Sequence, residues 1–318
     1  VPVLLLDETE VRQLLTMEMA LEAVESAMRG LARDEAQNIA RHRCQSDQAM
    51  LHLMGGAVKS MGVMGYKAYS TSRQGARFQV GLYDGRTGAL LSLMQADYLG
   101  QVRTGAASGV ATRYMARPDA ETVGLFGTGK QARTQVQAVC AVRNIRRVHV
   151  FSPNEQHRIT FAREMAEVCG CTVEPVAHPE LAARDMDIVI TATSSREPVL
   201  HGAWINEGAH LNVIGSNFLS KAEIDTDTVR RCRTIVVDSK EQARLEAGDL
   251  LQALEDGSIS WTQVYELGEV VVGKNKGRQH PQDVTLFKSL GIGLEDVAVA
   301  AKVYARAQAA GVGRSVEL

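Results

Sequence analysis

The ten residues Val123 to Ala132, VGLFGTGKQA, constrain this chain more than any other stretch. A short apolar run leads into Gly127-Thr128-Gly129-Lys130-Gln131-Ala132, and a helix-forming segment, KQARTQVQAVCAV, follows. Another apolar run, RRVHVFS, begins about 20 residues after the first glycine. Strand, glycine turn, helix and strand in that order form the pattern G-x-G-x-x-A. In it Gly127 permits the tight turn, Gly129 lets the backbone approach a pyrophosphate, and Ala132 allows close packing of helix on sheet. The helix N-terminus then faces an anion. Gly127, Thr128, Gly129, Lys130 and Gln131 are therefore expected to hold a dinucleotide.

The rhythm around this turn predicts a doubly wound parallel sheet. After Pro118 the runs ETVGLF, RRVHVFS, CTVEPV, MDIVITAT, AHLNVIGS and RTIVVDS alternate with helical segments and lack polar alternation, as strands buried on both faces do. Before Pro118 the pattern differs. Glu8 to Asp34 carries apolar positions at helical spacing with Thr16 as a cap, and Ala49 to Met94 breaks into short strands around a DGRTG turn. A small-residue helix, QVRTGAASGVATRYMAR, ends at Pro118, and residues from Leu294 onward are helical again. The expected class is α/β, a Rossmann-type doubly wound domain over 116–294. An α+β module is expected over 1–115 with 295–318.

Composition removes several functions. At 318 residues and 45% apolar content the chain can bury a sizeable core. With 35 basic against 37 acidic residues it has no basic surplus for nucleic acid. No run approaches the roughly 20 apolar residues of a membrane span, and no signal sequence is apparent at the start, so the cytoplasm is expected. Cys44, Cys140, Cys169, Cys171 and Cys232 form no CxxC pair and are expected to be buried thiols; the eight histidines include no HExxH, so no metal is expected.

An acidic residue at the end of the strand after the turn would select NAD by bonding the ribose 2′-hydroxyl. Here the segment reads FSPNEQHR. Ser152 and Asn154 suit a ribose or a phosphate, Arg158 suits a phosphate, and Glu155 lies past the usual position. The choice between NAD and NADP stays open with a lean to NADP. The alternative is that Ser152 to Asn154 is a plain polar turn and Arg158 part of a solvated helix face.

Five further stretches carry a family resemblance. YKAYS around Lys67, QVRTGAASG around Arg103, GLFGTGKQA, HLNVIGSN ending at Asn217, and GRQHPQDVTLFKSLGIGLEDVAVA resemble, in order and spacing, the ornithine cyclodeaminase/mu-crystallin family. The resemblance implies a homodimer whose N-terminal part and C-terminal helix form the dimerisation and substrate region, with a Rossmann domain for NAD(P). It implies substrate-site cations at Arg41, Lys67 and Arg103, with Arg43 as an alternative to Arg41. It also places Thr193, Gly215, Lys221 and Ser289 along the dinucleotide or near its nicotinamide.

Arginine can hold the carboxylate of an α-amino or α-imino acid bidentately, and lysine can protonate the group at Cα. Two departures matter. The cyclodeaminase pattern has acidic residues where this chain has Asn217 and His52, and an amide cannot deprotonate a distal amine. The resemblance then implies an NAD(P)H-dependent reductase of small α-imino acids or an amino-acid dehydrogenase, with Lys67, Arg103 and Asn217 in catalytic positions. Arg41, His52, Lys67 and Arg103 would hold the substrate. A cyclodeaminase and a non-catalytic, crystallin-like NADP-binding protein are the alternatives.

Overall fold

The computed structural model describes residues 2–317, and Val1 and Leu318, the outermost residues of the expected α+β module, lie outside that range. The chain forms two compact units, Val1–Arg103 with Gly291–Leu318, and Thr104–Leu290.

The first unit starts with β1 (Val3–Leu6), α1 (Glu8–Leu14) and α2 (Met17–Ala32). Asp7 caps α1 reciprocally with Glu10, and Thr16 caps α2 by accepting the Met19 N–H at 3.3 Å, so the two expected helices part where hydroxyl and carboxylate caps occur. Five strands follow: β2 (Ala36–Gln45), β3 (Ala49–Val58), β4 (Val63–Ser72), β5 (Gly75–Asp84) and β6 (Leu90–Gln95). Then α3 (Asp97–Met115) carries the chain out of this unit. The expected boundary at 115/116 marks the end of that helix. The compact units part inside it, after Arg103, because packing divides the helix whereas a proline marks only its terminus.

The second unit is the eight-stranded sheet β13-β12-β14-β11-β10-β7-β8-β9. In chain order it comprises β7 (Thr122–Phe126), α4 (Lys130–Val142), β8 (Arg147–Phe151), α5 (Glu155–Cys169), β9 (Thr172–Pro175), β10 (Ile188–Thr191) and β11 (His210–Val213). Next come α6 (Thr226–Arg231), β12 (Cys232–Val237), α7 (Lys240–Glu246), α8 (Gly248–Glu255), β13 (Val264–Glu266), α9 (Leu267–Val271) and β14 (Val284–Lys288). All its ladders are parallel. Ile188 and Ile190 pack with Val123, Val136 and Phe161, while Val189 packs with Leu211, Val237 and Leu250. Alternate residues of one strand thus feed two cores, as burial on both faces requires.

The chain then returns to the first unit as α10 (Gly293–Ala310) and β15 (Arg314–Val316), completing the sheet β15-β1-β6-β5-β4-β3-β2. Helix α10 lies on α2 and across β2, β3 and β4. It comes so close that a Cβ on Gly56 would stand 2.7 Å from the Leu294 Cα. The cysteines correct the expectation of buried thiols: Cys44 is exposed and the other four are partly exposed, and all are free. Among the described residues no helix is long and apolar enough to cross a membrane.

Candidate active site

In the first unit, the face of the sheet under α10 gathers charge. Cross-strand pairing sets Arg43 opposite His52, His52 opposite Tyr69, and Met54 opposite Lys67. Strand alternation therefore puts Arg43, His52, Lys67 and Tyr69 on one face, with Arg41 two residues from Arg43. Arg41, His52, Lys67 and Arg103 are all buried. The first turn of α10 supplies two buried carboxylates that the sequence reading did not select. Asp296 Oδ1 accepts from Lys67 Nζ at 2.7 Å and from Arg103 Nε at 3.1 Å, and Glu295 Oε2 accepts from Arg103 Nη1 at 2.9 Å.

Two glycines make room for these cations. A Cβ on Gly100 would lie 2.8 Å from Lys67 Nζ. One on Gly291, whose φ is +72°, would lie 2.3 Å from Arg103 Nη1. The Gly291 carbonyl also accepts from Arg41 Nη2 at 2.8 Å.

Burial pushes the Lys67 ammonium down to about 8; Asp296 pulls it back up, and Arg103 adds to the lowering. His52 is held down at about 4 by burial first and then by Arg43 and Arg41, so it is a neutral imidazole near pH 7. Its Nε2 lies 3.1 Å from the Thr71 hydroxyl, and its ring stacks on Tyr69 at 4.1 Å. Tyr69 in turn stacks on Phe78 at 5.1 Å, and Lys67 Nζ stands 5.5 Å from the Phe78 ring centre. The result is an aromatic floor beside an ammonium and guanidinium groups: a site for a small anion bearing a group to be protonated. A cavity of about 940 Å³ in the same unit is lined by Leu51, Arg77, Gln79 and Leu93 together with Tyr69 and Phe78, while Arg41, His52, Lys67 and Arg103 are not part of its lining.

In the second unit the glycine turn follows β7 as the sequence demands. Gly127 has φ +106°, and a Cβ there would come 2.3 Å from the Ala192 carbonyl oxygen, which excludes any side chain. Gly129 is the N-cap of α4; no side chain caps that end, and the space where its Cβ would be is open. Uncapped N–H groups beside an open glycine fit a pyrophosphate. Thr128 and Gln131 are partly buried and Lys130 is exposed, around that end.

At the end of β8, Ser152 is buried and Asn154 caps α5 by accepting the His157 N–H at 2.9 Å. Arg158 Nη1 donates to the Ser152 carbonyl at 2.6 Å. Thr193 follows β10, Gly215 and Asn217 follow β11, and Ser289 follows β14, with its hydroxyl 3.4 Å from Asp238. Lys221 Nζ lies 5.2 Å from the Phe218 ring centre. These residues occupy the C-terminal ends of strands β10, β11 and β14 and the loops after them, where open α/β sheets bind ligands. Among the described residues no group of histidine, cysteine, aspartate or glutamate forms a metal centre.

A parallel sheet with a pyrophosphate turn, in a chain that also buries a lysine, arginines and carboxylates in one cluster, defines the class of dinucleotide-dependent enzymes acting on small carboxylates. The chain belongs to the ornithine cyclodeaminase/mu-crystallin family, whose model matches residues 3–311. It resembles the Δ1-pyrroline-2-carboxylate reductase of Thermococcus litoralis, solved with NADH and L-proline, at 36% identity and a TM-score of 0.93 over 99% of this chain and 100% of that one. An archaeal alanine dehydrogenase dimer with bound NAD is 32% identical with a TM-score of 0.94, each chain covered over 100% of its length. The iminosuccinate reductase of Paracoccus denitrificans, solved with NAD⁺, is 30% identical with a TM-score of 0.94, again over 100% of each chain.

Proposed function

We propose that this protein is an oxidoreductase that reduces small α-imino acids with a nicotinamide dinucleotide. One observation carries the reading: a buried lysine with a pKa near 8, held at 2.7 Å by a carboxylate that it shares with a buried arginine. Arg103 and Arg41 hold the substrate carboxylate. Lys67 delivers a proton to the imine nitrogen, for which an acid of pKa near working pH is suited; it then takes a proton from solvent, and the neighbouring Asp296 carboxylate favours that ammonium form. When bound, the nicotinamide supplies the hydride that Cα receives. Bond and charge balance as C=N plus hydride plus proton gives CH–NH.

Asn217, partly buried after β11, is an amide and takes no part as a base. That favours reduction over cyclodeamination, which needs a group to deprotonate the distal amine. The relatives named for imine reduction share this fold over the full chain. The test is loss of reduced-nicotinamide absorbance with a panel of cyclic ketimines and of keto acids plus ammonia or amines. Consumption supports the reading; ammonia from ornithine without net redox, or no reaction at all, overturns it.

NADPH is taken at least comparably with NADH. No acid directly follows Phe151, Glu155 lying past the usual position, and Arg158 lies against the Ser152 carbonyl at that strand end, where a 2′-phosphate would be met by a cation. Strong exclusion of NADPH in fluorescence titrations would refute this. The working form is a homodimer. Ile39, Leu51, Leu53 and Met64 are exposed on the sheet face opposite Lys67, an apolar patch suited to a second copy. The free thiols suit the reducing cytoplasm.

A further inference from the structure

Glu223 is wholly buried in the second unit, ahead of α6, and its carboxylate collects three donors. Oε1 accepts the Thr193 N–H at 2.6 Å. Oε2 accepts the Gly215 N–H at 2.6 Å and the Thr191 hydroxyl at 2.8 Å. With donors on both oxygens the carboxylate fits as the ionised, acceptor-only form. Burial pushes its pKa up, and Lys288 opposes that rise. The Glu223 N–H donates to Asp249 Oδ1 at 2.5 Å. Asp249 Oδ2 lies 2.8 Å from Lys288 Nζ, which also donates to the Ser216 carbonyl at 2.7 Å. A Cβ on Gly215 would stand 2.3 Å from Glu223 Oε1, so only glycine lets that loop close on the carboxylate.

This arrangement joins the C-terminal ends of three neighbouring strands. Thr193 follows β10, Gly215 and Ser216 follow β11, and Lys288 ends β14, in the sheet order β14-β11-β10-β7. An apolar side chain would fill the same volume without the cost of burying a charge. What the carboxylate adds is two acceptor oxygens, each aimed at a different loop. In a doubly wound sheet the pyrophosphate sits at the turn after β7 and the adenosine ribose at the end of β8, so the other half of a dinucleotide crosses the ends of β10 and β11.

We propose that Glu223 is a positioning residue for the nicotinamide half of the cofactor. It fixes the Thr193 and Gly215 loops, with Asp249 and Lys288 anchoring it from behind. The inference rests on the dinucleotide-dependent reading above.

The test compares NADH with ADP, which carries the adenosine and pyrophosphate but no nicotinamide. Glu223→Gln keeps the volume and turns one acceptor oxygen into an NH₂ that faces a backbone N–H. NADH binding by fluorescence titration is expected to weaken by at least about tenfold, while ADP affinity by calorimetry stays within about twofold. Thr191→Val removes a single donor from the carboxylate. It should weaken NADH by about threefold and leave ADP unchanged, and it decides the matter if the glutamine variant does not fold. A merely structural role would lower Tm and weaken both ligands alike, and that result overturns the proposal, as does unchanged NADH affinity in folded variants. If wild type binds ADP and NADH but the variants do not separate them, Glu223 fails alone; if wild type binds neither, the cofactor reading fails with it.

Discussion

Replacing Asp296 with asparagine should move the basic limb of the pH–rate profile downward, and the direction follows from the order of influences on Lys67. Burial and Arg103 depress the ammonium, whereas Asp296 raises it, leaving a pKa of about 8. A group of that pKa is roughly 91% protonated at pH 7 and roughly 9% at pH 9, so imine reduction by wild type should fall about tenfold across that interval. A lysine of ordinary pKa would barely change. In Asp296→Asn the depressing influences remain and the main opposing one is gone.

At the observed 2.7 Å, Coulomb's law with an effective dielectric of about 20 gives an attraction on the order of 6 kcal/mol. Asp296 shares its charge with Arg103, and asparagine keeps one acceptor oxygen, so only part of this is lost. One pKa unit corresponds to about 1.4 kcal/mol, and a drop of at least one unit is expected. The limb then moves to about pH 7, and the rate at pH 8 falls about fivefold below wild type from protonation alone. The assay is initial rates of nicotinamide absorbance loss from pH 6 to 10 on one imine. Its own ionisation is the same for both enzymes and cancels in the comparison. In the reverse direction, amine oxidation needs neutral Lys67, and its rate should rise through the same pH. A limb that stays in place or moves up in Asp296→Asn would refute the assignment of Lys67 as the proton donor.

Gly291→Ala puts a Cβ 2.3 Å from Arg103 Nη1, and the guanidinium, held by Glu295 and Asp296, must leave them to yield; KM for the imino acid should rise at least about tenfold with dinucleotide affinity unchanged. Gly127→Ala meets a backbone oxygen at 2.3 Å at a φ of +106°, so dinucleotide binding should be lost and Tm lowered, the strain being at least about 1–3 kcal/mol. Calorimetry and titration with NADH would check it, and wild-type affinity would count against the turn. Leu53→Lys places a charge in the apolar face of the first unit's sheet, and light scattering should then report a monomer at micromolar concentration, against the dimer proposed for wild type.

The parallel sheet was legible because its signals are local. Strands such as Ile188–Thr191, buried at every position, read as unbroken apolar runs, and Gly127 shows its need for positive φ in the sequence itself. Strand β2 was not legible: AQNIARHRCQ alternates weakly and carries arginines at Arg41 and Arg43, which look like surface residues until α10 covers that face. Strand β14, VTLFK, ends in a lysine that propensity alone would put in solvent, yet Lys288 is fully buried between Asp249 and a carbonyl.

The site followed the same division. Lys67 and Arg103 were found, but the carboxylates that hold them were not, since the partner of Lys67 lies 229 residues away. One signal did exist. In GLEDVAVAAKV the acids Glu295 and Asp296 look like ordinary first-turn residues favoured by the helix dipole. Adjacent helical positions point about 100° apart, however, and the flanking residues here are glycine, leucine, valine and alanine. A helix start that is apolar around so wide an arc is buried there. Two acids within it must then face cations, and Lys67 and Arg103 are the cations that the family motifs supply.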